Sequence, residues 1–136
     1  MRSFEQVADW VAQRYTVTHM EPFLLALELS LDQGRRRQSV FLSELMDEDG
    51  GRVLRISTAV ADREHSRDAL AKALEFNWQS RAGYLALGEM GGRSYLHLCE
   101  NRAYAGLDAN ELERALLRVG GLGDGIERQL QDGDAF

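Results

Sequence analysis

The sequence predicts a single α+β domain of the order α-β-β-β-α-β-β-α, in which a curved five-stranded antiparallel sheet packs with three helices. Two observations predict this fold class. Apolar residues recur every three or four positions in three segments and every second position in five others. The segments between neighbouring strands are short and rich in Gly and Asp, which is typical of hairpins and leaves no room for parallel crossovers.

The first helix begins after Ser3, which forms a capping-box pattern with Gln6. Its apolar residues share one face at helical spacing: Phe4, Val7, Ala8, Val11 and Tyr15. We expect a linker after this helix. The linker ends at Pro22, which is tolerated at the start of a strand because its missing amide hydrogen does little harm there.

Three strands follow, over residues 23–31, 38–46 and 52–60. In the first of them, Leu25, Leu27 and Leu29 alternate with Ala26 and Glu28, which indicates a strand. Residues 32–37 are expected to form the first hairpin loop. The acidic segment 47–51 contains an Asp-Gly pair, a strong hairpin signal, and forms the second.

The second half of the chain contains a helix, a hairpin and another helix. Ser66 is the expected cap of a helix that runs to about Trp78. Strands over residues 82–89 and 93–100 meet at a Gly-Gly turn. Asp108 and Glu111 form a second capping-box pattern, which opens the last helix.

The last helix contains four glycines, and it is expected to be continuous but weak. Its apolar phase runs from Leu112 to Leu130 straight through residues 120–125. Each glycine costs about 1 kcal/mol relative to Ala in a helix interior, so packing must hold the helix. We expect residues 1–131 to form the domain and residues 132–136 a flexible tail.

The charge of the chain argues against a nucleic-acid ligand. Residues 1–68 contain nine Arg and twelve acidic residues, and residues 69–136 contain seven basic and ten acidic ones, so each half nets −3 of the total −6. The single cysteine, Cys99, suits a reducing compartment. No apolar run approaches the ~20 residues of a membrane span, so we expect a cytoplasmic protein without a membrane partner.

The glycine-rich segment 119–125 lacks the context of a phosphate-binding loop. Such a loop follows a strand and precedes a helix, whereas here a helix precedes the glycines and no Lys follows them. We expect these glycines to allow close packing against a neighbouring element instead.

The sequence predicts no metal, no cofactor and no catalytic residues. His97 and Cys99 share a strand face, but no second Cys or close His pair completes a zinc site, and His19 and His65 lie in other elements. The acidic turn at Asp47 lacks the distal Glu of a calcium loop, because that position is a threonine.

Surplus apolar surface is the feature that predicts a function. The middle helix carries two apolar stripes, although one suffices for a single core. The second hairpin is apolar on both faces, with Leu85, Leu87, Leu96 and Leu98 expected inward. Such surfaces usually meet other proteins, so we expect a client-binding or homodimer interface. Its residues are Leu70, Phe76, Trp78, Tyr84, Tyr95 and His97. The alternative is a core that covers both faces of a small sheet.

Several motifs accompany this order of elements. They are Leu74-Glu75-Phe76-Asn77, the 83–98 hairpin with its Gly-Gly turn, Leu107-Asp108-Ala109-Asn110-Glu111-Leu112, and Gly123-Asp124 with Glu127. Together they resemble the type III secretion chaperone-like superfamily, which includes the Tir-chaperone family and YbjN-type proteins. Upstream, residues 37–41 and 54–58 are more similar to the YbjN-type proteins.

The resemblance implies a small, acidic, cytoplasmic homodimer without enzymatic activity, which binds an extended segment of a client protein along apolar surface. A YbjN-type protein would instead act as a regulator or adaptor. The residues by themselves leave two further functions open. One is a small enzyme or ligand-binding protein that uses a cleft between sheet and helices, and the other is a structural subunit of a larger complex.

Overall fold

The computed structural model describes residues 1–61 and 67–131, and it confirms an α+β fold. The elements of the described residues are α1 (Phe4–Ala12), β1 (Thr16–Glu21), β2 (Leu24–Leu31), β3 (Arg36–Met46), β4 (Arg52–Ala61), α2 (Arg67–Gln79), β5 (Tyr84–Met90), β6 (Arg93–Ala103) and α3 (Ala109–Gln131). The predicted cap at Ser66 and the predicted tail at 132–136 lie outside the described residues.

The sheet contains six antiparallel strands in the described part of the chain, in the order β1-β2-β3-β4-β6-β5, so the prediction of five strands is wrong. The additional strand is β1, which occupies the predicted linker. Only Val17 of β1 is even half-buried, so the strand lacks the apolar alternation that identifies the others. Its backbone pairs with β2 around a turn in which Phe23 has a left-handed φ of 66°. A polar, exposed strand of this kind is typical of a sheet edge.

The first predicted hairpin loop is shorter than expected, because β3 begins at Arg36. Asp32 and Gln33 have φ values of 51° and 57°, and Gly34 has a φ of 86°, so three successive left-handed residues reverse the chain. The backbone amide of Gly34 donates to the Leu31 carbonyl at 3.1 Å. The tight turn leaves Arg36 and Arg37 free to pair with β2.

Helix α3 is continuous across its glycines, as the sequence predicts. A Cβ on Gly120 would lie 2.4 Å from Leu29 Cδ1, and a Cβ on Gly123 would lie 2.2 Å from Thr58 Cγ2. The predicted close packing is therefore confirmed at these two glycines, since any side chain there would collide with the sheet. Their approach also buries Asp124 against the sheet.

Asp124 is compensated by basic side chains from two elements. Arg36 on β3 donates to both of its carboxylate oxygens, with the shortest distance 2.6 Å from Nη2 to Oδ1. Arg128, one turn further along α3, lies 3.5 Å away. The ion pair joins the second half of α3 to the start of β3, far apart in sequence.

The three helices pack their buried residues against one face of the sheet. A main cluster joins α1 and the first half of α3 to strands β2, β3 and β4. A second cluster joins α2 and the end of α3 to Val60, Leu85, Leu96 and Leu98. Leu87, which was predicted to face inward with them, is 51 % exposed. Among the described residues, no helix has both the length and the apolar character needed to cross a membrane.

Candidate functional site

The face of the sheet opposite the helices forms a cleft of about 500 Å³. The strand register places Phe41, Ser57 and Cys99 side by side across β3, β4 and β6 on this face. Residues of both edge strands line the same cleft, so the sheet curls around it. The lining includes His19, Glu21, Leu24, Phe41, Ser43, Arg55, Ser57, Ala86, Met90, His97 and Cys99.

Arg55 brings a permanent positive charge to this cleft. The side chain is half-buried, its Nε donates to Ser43 Oγ at 3.3 Å, and it forms no salt bridge with a carboxylate of the described residues. Burial raises the pKa of the Cys99 thiol, and the charge of Arg55 only partly opposes that effect. Cys99 is therefore a protonated thiol near neutral pH rather than a nucleophilic thiolate.

His97 lies on the same face and is held over strand β5. Its Nε2 is 3.2 Å from the carbonyl oxygen of Gly88, and a Cβ at Gly88 would lie 3.2 Å from the imidazole Cδ2. Glycine at this position thus leaves room for the ring. Burial lowers the pKa of His97, and Arg55 lowers it further, so the ring is neutral at pH 7. Its Nδ1 is buried and has no hydrogen-bond partner in the described part of the chain.

The structure brings together residues that the sequence analysis kept apart. His19 was assigned to an isolated position, but β1 carries it to the same cleft as His97 and Cys99. Within residues 1–61 and 67–131, no three His, Cys, Asp or Glu side chains come close enough to hold a metal ion. Sequence reasoning missed Arg55 and Phe41 as site residues. Period-two alternation places them on the polar face of their strands, but it does not show that the sheet curls around that face.

A second surface lies where α2 meets the edge strand β5. The Asn77 side chain covers this edge at Leu85: its Nδ2 donates to the Leu85 carbonyl at 3.0 Å, and its Oδ1 accepts from the Leu85 amide at 2.7 Å. Beside Asn77 on the helix, Trp78 is 90 % exposed and Leu74 is 69 % exposed. The Leu-x-x-Asn motif thus positions the residue that terminates the sheet.

The six residues of the predicted interface divide between these two surfaces. Leu70, Phe76 and Trp78 lie on α2, and Phe76 is half-buried against the second core cluster. The other three lie on the opposite face of the sheet, where the Tyr84 hydroxyl donates to Asn101 Oδ1 at 2.9 Å and the rings of Tyr95 and His97 are 6.0 Å apart. The six residues therefore lie on two faces that the sheet separates, and their role in protein binding stays a prediction.

The fold and these surfaces define an α+β protein with a curved antiparallel sheet, of which helices cover one face and the other face is open. No protein-family model matches the chain, and no curated protein matches it.

Proposed function

We propose that this protein is a non-enzymatic protein-binding module, which binds an extended apolar segment of a client protein beside the edge strand β5. The observation that carries the proposal is the exposed Trp78, next to the residue that covers the strand edge. Leu74 extends the same apolar surface, one helical turn earlier. Together with the edge strand, these side chains form what we call the α2–β5 surface.

The backbone of β5 favours an extended occupant. Residues of an antiparallel strand alternate between pointing their backbone groups toward the paired strand and away from it. Because the amide and carbonyl of Leu85 bind Asn77, those of Leu87 point away from β6 as well. An added strand can satisfy these groups from Leu87 onward while its side chains contact Trp78 and Leu74.

A second copy of the chain meets the same requirements as a client segment. Leu74, Trp78 and Leu87 are themselves apolar and exposed, and a two-fold axis beside β5 would bring each copy's edge against the other's. We therefore propose that the protein is a homodimer through the α2–β5 surface when no client is bound.

The resemblance to the type III secretion chaperone-like superfamily supports the same function. It implies a cytoplasmic homodimer that holds an extended client segment. An apolar surface beside an unpaired strand edge favours binding of such a segment. A YbjN-type regulator would use the same surface for a partner protein. The net charge of −6 remains a reason to exclude nucleic acid as the partner.

Selection of peptides from a random displayed library against the full chain tests the proposal. We expect apolar peptides whose affinity falls about tenfold or more with Trp78→Ala, the loss typical of a central aromatic contact. N-methylation of alternate peptide amides should also abolish binding, because it removes the backbone hydrogen bonds to β5. Leu117→Ala is the matched control, since Leu117 is 47 % exposed but lies on α3.

Two outcomes would contradict the proposal. One is a set of selected peptides that bind Trp78→Ala and the unaltered chain equally well. The other is binding that tolerates N-methylation at every position, since a segment added to β5 must use its backbone groups.

A further inference from the structure

The open-face cleft contains a half-buried cation that no carboxylate of the described protein neutralises. Among the described residues, the Arg55 side chain donates a hydrogen bond only to the neutral Ser43 hydroxyl. Glu21 and Glu89 also line the cleft, but both are exposed, and Glu21 contacts His19. A partly desolvated guanidinium without an anionic partner loses hydration free energy that an anion would return.

A second polar group in the cleft also lacks a partner. His97 Nδ1 is buried without a hydrogen bond, although the opposite ring nitrogen contacts the Gly88 carbonyl. Because Nε2–H donates to that carbonyl and the ring is neutral, Nδ1 is a hydrogen-bond acceptor, which a donor such as water can satisfy and a carboxylate cannot. Arg55 and His97 stand on neighbouring strands of the same face, and the charge of Arg55 acts on the imidazole.

Much of the remaining lining is apolar, although His19 and the two exposed glutamates also line the cleft. Phe41, Leu24 and Ala86 line it together with the buried Cys99. Its volume of about 500 Å³ lies within the range of about 300–1,000 Å³ that is usual for small-molecule sites. Arg55 is the one half-buried charged side chain of this largely apolar lining, whereas both glutamates are exposed, so the cleft is complementary to a molecule that has one acidic group and an apolar body.

We propose that the open-face cleft binds a small organic monocarboxylate with an apolar body. The carboxylate pairs with the guanidinium of Arg55, in the bidentate geometry that this side chain favours, and the body lies against Phe41. The Ser43 and Ser57 hydroxyls lie on the same face and can donate to the carboxylate. A phosphate monoester fits less well, because it carries nearly two charges and the described residues of the lining include one Arg and no Lys.

This site shares strand β5 with the α2–β5 surface, because Leu87, Gly88 and Glu89 also line the cleft, but its anchoring residue is Arg55 on β4. The cleft lies on the open face of the sheet, whereas Trp78 and Leu74 project from a helix on the other face. Binding of the carboxylate therefore does not depend on the proposed protein-binding function, and each can fail without the other.

The test is titration of the full chain with 4-phenylbutyrate, hexanoate and decanoate, each beside the alcohol of the same chain length. Affinity is measured by calorimetry, and the Arg55 Nε–Hε and His97 ring signals are followed by NMR. We expect at least one acid to bind about tenfold more tightly than its alcohol, the ratio that one charge-assisted contact of about 1.4 kcal/mol produces. The same acid should shift the Arg55 and His97 signals.

Substitutions locate the contact. Arg55→Met should weaken binding of the acid about tenfold while leaving binding of the alcohol unchanged, and Arg55→Lys should restore part of the loss. Arg35→Met is the matched control, because Arg35 is exposed in the turn before β3. Trp78→Ala should also leave the affinity unchanged.

The proposal is overturned if no acid of the panel shifts the Arg55 signal at millimolar concentration. It is equally overturned if acids and alcohols bind alike. Should Arg55→Met fold poorly, the comparison of acid with alcohol on the unaltered chain still decides the question.

Discussion

Neighbouring glycines of α3 should respond to alanine in opposite directions. Gly121 and Gly125 have no atom within 4 Å of the position that a Cβ would occupy. Gly is about 0.8–1.0 kcal/mol less favourable than Ala in a helix interior, so Gly121→Ala and Gly125→Ala should each raise the free energy of unfolding by about that amount.

Gly123→Ala should have the reverse effect, although it gains the same helix propensity. Its Cβ would meet Thr58 Cγ2 at 2.2 Å. Thr58 cannot turn away freely, because its hydroxyl donates to the Ser39 carbonyl at 2.7 Å and accepts from Gln38 Nε2 at 2.8 Å. Overpacking of a core costs about 1–3 kcal/mol and the gain in helix propensity offsets about 1 kcal/mol of it, so the net loss should reach as much as about 2 kcal/mol. Gly120→Ala should lose less, since it meets the end of the Leu29 side chain.

Urea unfolding followed by circular dichroism measures these free energies. Gly121→Ala is the internal control for Gly120→Ala, because the two positions are adjacent and differ in what they face. The packing argument is refuted if Gly123→Ala stabilises the protein, or if Gly121→Ala and Gly125→Ala both destabilise it. The first result would mean that α3 does not approach the sheet closely at Gly123, and the second that Gly121 and Gly125 do not face open space.

Four further results are expected. Sedimentation at micromolar concentration should show twice the 15.3 kDa chain mass, and Trp78→Lys should give a monomer, whereas a monomeric unaltered chain would contradict the dimer. Asn77→Ala leaves the backbone amide and carbonyl of Leu85 without their partners, so it should destabilise the fold by about 1–2 kcal/mol. It should also increase self-association measured by light scattering, because the strand edge is then exposed. Unchanged stability and unchanged scattering would show that Asn77 does not protect the strand edge. Because burial holds the pKa of His97 below 6.5, the unfolded chain binds the proton more readily, and stability should fall as pH drops below 6.5. In denaturant titrations, His97→Gln should reduce this dependence of stability on pH, and an unchanged dependence would contradict the argument. Asp124→Asn removes the charge that pairs with a basic side chain of β3 and should lower the free energy of unfolding by about 1–3 kcal/mol in urea, whereas an equally stable variant would show that the buried pair contributes nothing.

Local patterns in the sequence were sufficient to predict most of the elements. Apolar alternation and Asp-Gly or Gly-Gly turns identify the strands from β2 onward, and the capping patterns at Ser3 and Asp108 identify the starts of α1 and α3. The unbroken apolar phase from Leu112 to Leu130 predicts that α3 continues through its glycines, because packing of one face outweighs the poor propensity of a few residues.

Strand β1 could not be predicted in the same way. An edge strand is held by backbone hydrogen bonds to its neighbour, and its side chains need no apolar alternation because both of its faces are largely exposed. The missed strand also concealed the position of His19, which reaches the cleft only through the pairing of β1 with β2.

The sequence by itself determined which residues alternate, where the chain turns from β2 onward, and that packing rather than propensity holds α3 across its glycines. The tertiary structure alone decided that Arg55, His97 and His19 share one cleft, that Trp78 stands apart from Tyr84 and Tyr95, and that Arg36 neutralises Asp124. The physical reason is range. Periodicity and turn chemistry act over a few residues, whereas the curl of a sheet and the register between distant strands depend on the packing of all the elements together.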